Sequence, residues 1–339
     1  MAAPSSGHAD IAVLGAGSWG TALAIQFARA GRPARLWGRD PEHVQTMARE
    51  RVNRRYLPDA AFPARLHQTP TLEAAITAVD DVLVAVPSQG FRALLSELRP
   101  LLPASIRLCW ATKGFELNTG KLPNEVAHEV LGPGRSVAVL SGPTFAREVG
   151  AGLPTAMTIA SADSDHAEIL AHDLSSANFR AYTSTDITGV EVGGAVKNVF
   201  AIGAGLCDGL GFGANTRIAL ITRGLVEMTR LGVALGSRRE TFMGLAGLGD
   251  LVLTCTDDHS RNRRFGLALA QGVEVERALL GIGQVVEGYH AARALQGVAA
   301  REHVLMPIAE GIYGVLYQGL PAEQVVRGLM SRPIKPEFD

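Results

Sequence analysis

The chain has 339 residues and a mass of 35.8 kDa, a length that accommodates about two domains. Apolar residues make up 47% and charged residues 19%, which supports a packed core and excludes intrinsic disorder. With 32 basic against 33 acidic side chains, no global charge draws the chain to nucleic acid or an anionic membrane, so any anionic ligand must be held by local groups.

Met1 to Asp10 carries no basic run followed by an apolar stretch and reads as a loose tail, not a secretory signal. Ile11-Ala12-Val13-Leu14 reads as a buried parallel strand, and Ser18 to Ala30 as the helix after it. Between them lies Gly15-Ala16-Gly17-Ser18-Trp19-Gly20, a GxGxxG sequence in strand–turn–helix context. Gly15 permits the tight turn, Gly17 lets backbone approach a pyrophosphate, and Gly20 lets helix pack on strand. The N–H groups at the helix start then suit an anion. Ala34 to Trp37 is a second strand, and Asp40-Pro41 caps a helix predicted to run to about Val52. Asp40 stands 20 residues after Gly20, where an acid would take the ribose 2′-OH of NAD, but it looks committed to the cap. Arg39 could pair with a 2′-phosphate, so NADP(H) is favoured with NAD(H) open, although a solvated arginine at a strand end would look the same.

Val82 to Val86 is the next apolar strand, with Ser88 placed to cap the following helix. Ile106 to Ala111 and Val137 to Leu140 repeat the pattern, followed by Thr155 to Ile159 and Phe179 to Thr183 around a helical stretch. Unbroken apolar strands indicate a parallel sheet with helices on both faces, an α/β Rossmann-type dinucleotide-binding domain. Lys113, in Trp110-Ala111-Thr112-Lys113-Gly114, follows a strand end, where ligands collect in such sheets. Ser141-Gly142-Pro143-Thr144 also follows a strand, with Thr144 offering a cap hydroxyl.

From about Gly189 strand signals fade and helical patterns take over, at Val190–Leu206, 217–235, 261–271, 287–301, 308–317 and 323–330. The organisation expected is therefore 1–188 for the nucleotide-binding part and 189–339 for an all-α part that binds substrate and carries the catalysis. Inside the apolar stretch Val192 to Cys207, Lys197 is the one charged group, and Gly193, Lys197, Ala201 and Gly205 fall on one helical stripe. Small residues there admit a close neighbour, and a lysine among apolar flanks is pushed towards neutrality and can take a proton. A lysine reaching to the helix edge is the bland alternative. Asp250, after the loop Gly244-Leu245-Ala246-Gly247-Leu248-Gly249, could hold a lysine ammonium or simply cap a helix. Ser260 is a candidate N-cap followed by Arg261, Asn262, Arg263 and Arg264. Arginines at a helix start make sense where an anion such as a phosphate binds, or where Asp257 and Asp258 balance them.

Cys109, Cys207 and Cys255 form no CxxC pair, so a reduced, cytosolic protein is the expectation. No run of about 18 consecutive apolar residues marks a membrane span. The nine histidines form no metal signature, and GxSxG and Walker A sequences are missing, which argues against a triad hydrolase or a P-loop ATPase.

Taken together, VLGAGSWGTALA, WATKG, SGPTFAREV, GGAVKNVFAIGAGLCDGLGFGAN, GLGDLVLTCTDDHSRNRRFG and GQVVEGY closely resemble bacterial NAD(P)-dependent glycerol-3-phosphate dehydrogenases of the non-flavin type, over residues 10–330. The resemblance implies reversible hydride transfer between sn-glycerol 3-phosphate and dihydroxyacetone phosphate, supplying glycerophospholipid synthesis. It places Lys197 on the proton acceptor and Lys113 on a residue contacting cofactor and substrate. Gly142, Thr144, Asp250, Ser260, Arg261 and Asn262 fall on substrate contacts, and Ser18, Trp19, Arg39, Ala146, Arg261, Val285 and Glu287 on cofactor contacts. The partner implied is a small phosphorylated substrate, and a homodimer through the helical part is a further expectation. A two-domain hydroxyacid dehydrogenase with a carboxylate substrate is the competing enzyme reading. A nucleotide-sensing protein without chemistry would need no lysine in an apolar helix.

Overall fold

The computed structural model describes residues 9–334 and 336–337, so residues 1–8 of the expected tail lie outside it. The chain opens with β1 (Asp10–Leu14), α1 (Ser18–Ala30), β2 (Ala34–Trp37) and α2 (Pro41–Glu50). Asp40 caps α2 with its Oδ1, accepting from the Glu42 and His43 N–H groups, the cap role the sequence suggested. The helix stops short of Val52 because Arg51 turns left-handed at φ 55°, and the chain enters a hairpin of β3 (Val52–Asn53) and β4 (Leu57–Ala61). β5 (Leu66–Thr69), α3 (Leu72–Ile76), β6 (Val79–Val84) and α4 (Ser88–Leu98) follow. Pro87, not Ser88, occupies the cap position of α4, and Ser88 is its first helical residue. Next come β7 (Arg107–Trp110), α5 (Pro123–Leu131), β8 (Val137–Ser141), α6 (Ala146–Ala151), β9 (Thr155–Ala160), α7 (Ser164–Leu174) and β10 (Phe179–Ser184).

The eight-stranded sheet has the order β10-β9-β8-β7-β6-β1-β2-β5. Successive residues of the inner strands feed opposite faces. Ile11, Val13, Leu83, Cys109 and Leu140 pack into one cluster, and Ala12, Leu14, Val82, Leu108 and Trp110 into the other. The sheet is not wholly parallel, because β9 pairs antiparallel with β8 and β10 runs with β9. Apolar runs report that both faces are covered, not strand direction, which the short α6 connection reverses. From β1 the chain goes one way to β2, while β6, β7 and β8 lie on the other side. That switch opens a crevice beyond the carboxyl end of β1.

The rest is helical: α8 (Ile187–Gly209), α9 (Ala214–Ala234), a 3₁₀ turn at Arg239–Met243, a single π turn at Leu245–Gly249, α10 (Asp250–Thr256), α11 (Arg261–Ala270), α12 (Val275–Ile282), α13 (Glu287–Arg301), α14 (Pro307–Tyr317) and α15 (Ala322–Met330). α8 is the axle of this half. By length and composition it could cross a membrane, yet its whole apolar window is buried inside the protein. Its glycines are what allow that. A Cβ at Gly193 would lie 2.2 Å from the Ala246 carbonyl oxygen, and one at Gly205 would lie 2.0 Å from that of Arg263. Gly266 on α11 returns the arrangement, 2.0 Å from the Ile202 oxygen, so α8 and α11 meet backbone to backbone. That contact sets the start of α11 beside Lys197.

Candidate active site

The glycine loop leaves β1 and opens α1 at the crevice. Gly15 sits at φ +123°, and a Cβ there would lie 2.6 Å from the Ala85 oxygen. One on Gly20 would lie 2.0 Å from the Gly15 oxygen, so these two glycines are packing requirements. Gly17 differs, because a Cβ there would meet nothing within 4 Å. It is also the cap position of α1 with no side chain on the helix N–H groups, which leaves them for an anion. Beside it the Trp19 indole N–H is buried without a partner. An open anion cradle with an orphaned donor beside it fits a dinucleotide. Gly38 packs on the loop, 2.9 Å from Ala16 Cβ for an added Cβ, and sets the exposed Arg39 at its flank.

Across the crevice α8 presents Lys197, whose residue is only 7% exposed. Its Nζ is ion-paired with Asp250 Oδ1 and donates to Thr254 Oγ1 at 3.0 Å. Lys113, at the end of β7, reaches the other oxygen of the same carboxylate at 2.7 Å and lies 3.4 Å from the Gly142 carbonyl. One acid, supplied by the start of α10, therefore bridges two lysines from different parts of the fold. Burial pulls the Lys197 amine down to about 8, against the opposing pull of the Asp250 carboxylate and with help from the Lys113 charge. Such an amine exchanges protons near neutral pH.

The start of α11 forms the third wall. Ser260 caps it by accepting from the Arg263 N–H at 3.2 Å, and Arg261 Nη1 meets Gln284 Oε1 at 3.1 Å. Asn262 donates to Asn198 Oδ1 at 2.9 Å and accepts from the Gly288 N–H, while Asn198 donates to Glu287 at 2.9 Å. A relay of carboxamides thus ties α8, α11 and α13 around the lysine. The basic cluster at this helix start is only partly available for an anion. Arg263 is spent on Asp208, at 2.6 Å, and on Asp258, whereas Arg261 and Arg264 line the cleft.

These walls enclose a cleft of about 270 Å³. It brings together Ser18, Trp19, Lys113, Thr144, Ala146, Lys197, Asp250, Ser260, Arg261, Asn262 and Glu287 from the sequence analysis. Gly15, Gly17, Gly20, Gly142, Arg39 and Val285 are not among its lining residues, although Gly142 touches Lys113 and Val285 is exposed beside Gln284. Thr144 does not cap α6. Its hydroxyl turns back to the Gly142 carbonyl at 3.2 Å, and Phe145 takes the cap position. Sequence reasoning singled out neither Asn198 nor Thr254. Thr254 stands four residues after Asp250, a spacing that puts both on one helix face and could have pointed to it.

Comparison with known proteins agrees with this architecture. The family model described as NAD-dependent glycerol-3-phosphate dehydrogenase N-terminus matches residues 10–167, and its C-terminus counterpart matches 186–327. The chain is 55% identical over 328 residues to a glycerol-3-phosphate dehydrogenase [NAD(P)+] of Aeromonas salmonicida, covering 96% of this chain and 98% of that one. It is likewise 55% identical to the Yersinia pestis enzyme of that name, over 97% of each. The crystal structure of glycerol-3-phosphate dehydrogenase from Coxiella burnetii superposes with a TM-score of 0.92 at 45% identity, covering 96% of this chain and 99% of that one.

Proposed function

The chain belongs to the NAD-dependent glycerol-3-phosphate dehydrogenase family, and from that premise we propose that it interconverts sn-glycerol 3-phosphate and dihydroxyacetone phosphate with NAD(P)(H), using Lys197 to move the proton. The observation that carries this reading is a single buried amine, pulled down to about 8, in a cleft shared with the glycine loop. When bound, the nicotinamide supplies the hydride acceptor or donor at C2 of the substrate. In oxidation the neutral Lys197 Nζ takes the hydroxyl proton. In reduction its ammonium returns that proton to the developing alkoxide. Lys113, held on Asp250 at 2.7 Å, adds positive charge where that oxygen becomes negative. Asp250 and Thr254 orient the amine between turnovers.

The start of α11 supports recognition of the phosphate. Ser260, Arg261 and Asn262 stand at one helix N-terminus lining the same cleft as Lys197, with Thr144 on its wall and Gly142 behind Lys113. Binding there fixes the carbinol carbon before reaction. Ser18, Trp19, Ala146, Val285 and Glu287 are our cofactor contacts. Arg39 at the loop flank is our basis for expecting NADPH to be favoured. We assign residues 1–188 to nucleotide binding and 189–339 to substrate binding and catalysis. A cytoplasmic homodimer feeding phospholipid synthesis completes the reading. Light scattering that returned a monomer, or fractionation that placed the protein in the membrane, would correct that part.

The test is the loss of reduced-nicotinamide absorbance on adding dihydroxyacetone phosphate, run with NADPH and with NADH. Turnover with either, suppressed by Lys197→Ala, supports the reading. No turnover with either, alongside turnover of a 3-hydroxyacid or 2-ketoacid, sinks it.

A further inference from the structure

We infer that Asn53 is a positioning residue for the dinucleotide, acting through the Ala16 carbonyl to aim the backbone N–H groups of the glycine loop at the pyrophosphate. The inference rests on the dinucleotide reading above and extends it to a residue with no role there.

Asn53 belongs to the short strand β3 and is fully buried, an unusual place for a carboxamide. Its Nδ2 donates to the Ala16 carbonyl at 3.0 Å and to Thr21 Oγ1 at 2.8 Å, and its Oδ1 accepts from the Tyr56 N–H at 3.2 Å. The amide has one workable orientation, since the flipped form would set its oxygen against the Ala16 oxygen. Ala16 lies between Gly15 and Gly17, inside the loop itself. The peptide that joins Ala16 to Gly17 is planar, so its C=O and N–H point in opposite directions. Fastening the oxygen onto Asn53 turns the Gly17 N–H the other way, to the side where a Cβ would meet nothing within 4 Å.

Thr21 extends the same control into α1. It is fully buried, and its own N–H bonds to the Gly17 carbonyl at 3.0 Å. One carboxamide therefore grips the peptide before the anion site and the first turn after it. Without that donor the Ala16 oxygen would be buried and unpaired, a state relieved by rotating the peptide. Rotation would point an oxygen where a pyrophosphate must sit.

The isosteric Asn53→Asp separates this role from packing. It keeps the volume and the acceptor for Tyr56, but it has no donor for Ala16. The expected result is a rise of about tenfold in the dissociation constants of NADPH and of ADP-ribose, the loss of one hydrogen bond to the loop. The dissociation constant of adenosine 2′-monophosphate, which lacks a pyrophosphate, should stay at the wild-type value. Asn53→Ala, which buries no charge, should give the same split. Wild-type affinity for NADPH in both variants overturns the inference, and so does an equal loss for all three ligands, the mark of a merely displaced hairpin. If the wild-type protein itself bound neither NADPH nor NADH, the dinucleotide reading would fall first and take this inference with it. A readout without substitution guards against variants that do not fold. The Gly17 amide resonance of the wild-type protein should move on titration with ADP-ribose and hold still with adenosine 2′-monophosphate, and a resonance indifferent to ADP-ribose overturns the proposal.

Discussion

Replacing Lys197 by methionine should remove activity and raise stability together. The structure holds the ammonium almost entirely out of water, which lowers it from the ordinary lysine value of 10.5 to about 8. At about 1.4 kcal/mol per unit, keeping that charge in the fold costs about 3 kcal/mol below pH 8. The cost shrinks as pH rises from 8 and is gone near 10.5, where the amine is neutral in both folded and unfolded chains. Methionine fills the space with no charge. It forfeits the bond to Thr254, worth about 1 kcal/mol net, while the pull of Asp250 is already contained in the value of about 8 and Asp250 keeps Lys113. The balance is a gain of about 2 kcal/mol, which for a chain of this length is about 3 °C in Tm at neutral pH. General acid–base catalysis contributes about 10²–10⁴-fold, so kcat should fall by that factor while NADPH still binds. Calorimetry at pH 7 and pH 10, beside the nicotinamide assay, checks both halves. A variant several degrees less stable would refute the desolvation argument, and one with wild-type turnover would remove the amine from the chemistry.

With Lys197 in the proposed role, oxidation of glycerol 3-phosphate should accelerate through an apparent pKa near 8 as the amine becomes neutral, whereas reduction of dihydroxyacetone phosphate should slow over the same range as the ammonium is lost. Asp250→Asn removes the carboxylate that raises the amine, so both midpoints should move to lower pH; a midpoint that stays put would show the carboxylate has no part in tuning Lys197. Glu191, buried with its Oε1 on the Trp110 indole N–H at 2.8 Å, is pushed up to about 8, so above the unfolded value of about 4.5 the fold loses stability with rising pH. Glu191→Gln keeps an acceptor for Trp110 and should melt higher by a margin that widens from pH 5 to pH 8, which a pH series of melting curves would detect. Gly266→Ala puts a methyl 2.0 Å from the Ile202 oxygen and must part α11 from α8, costing about 2–4 kcal/mol and lowering kcat as Arg261 and Asn262 shift from Lys197. Unchanged melting would contradict the backbone contact described above.

Much of this was legible before any coordinates. β1, β2 and α1 announce themselves because apolar runs bounded by glycines have few other uses, and α13 falls at the expected residues. The reversal of β9 was hidden, since a strand covered on both faces reads alike in either direction. The hairpin of β3 and β4 was missed because Leu57-Pro58-Asp59-Ala60-Ala61 has little β-branched or alternating character, and the hairpin is fastened instead by Asn53 on the Ala16 carbonyl and Arg51 on the Leu66 carbonyl. At the site, a lysine in an apolar helix and an acid after a glycine loop stood out by contrast. Asn198 and Thr254 did not, because a neutral polar residue earns notice only once its partner is known. Arg263 falls on the other of the two alternatives left open for that helix start, a charge balanced by Asp258 and also by Asp208, a partner the sequence did not point to.

The first turn of α8 has a consequence for anyone recombining these enzymes. Ile187 and Val190 lie in the cluster beneath the sheet, and Glu191 receives both the Trp110 indole and the Asn124 N–H. A graft of the nucleotide half that ends at β10 would carry a bare greasy patch and an indole with nobody to donate to. The seam for swapping parts therefore runs inside the helix, beyond Glu191, rather than at the end of the last strand.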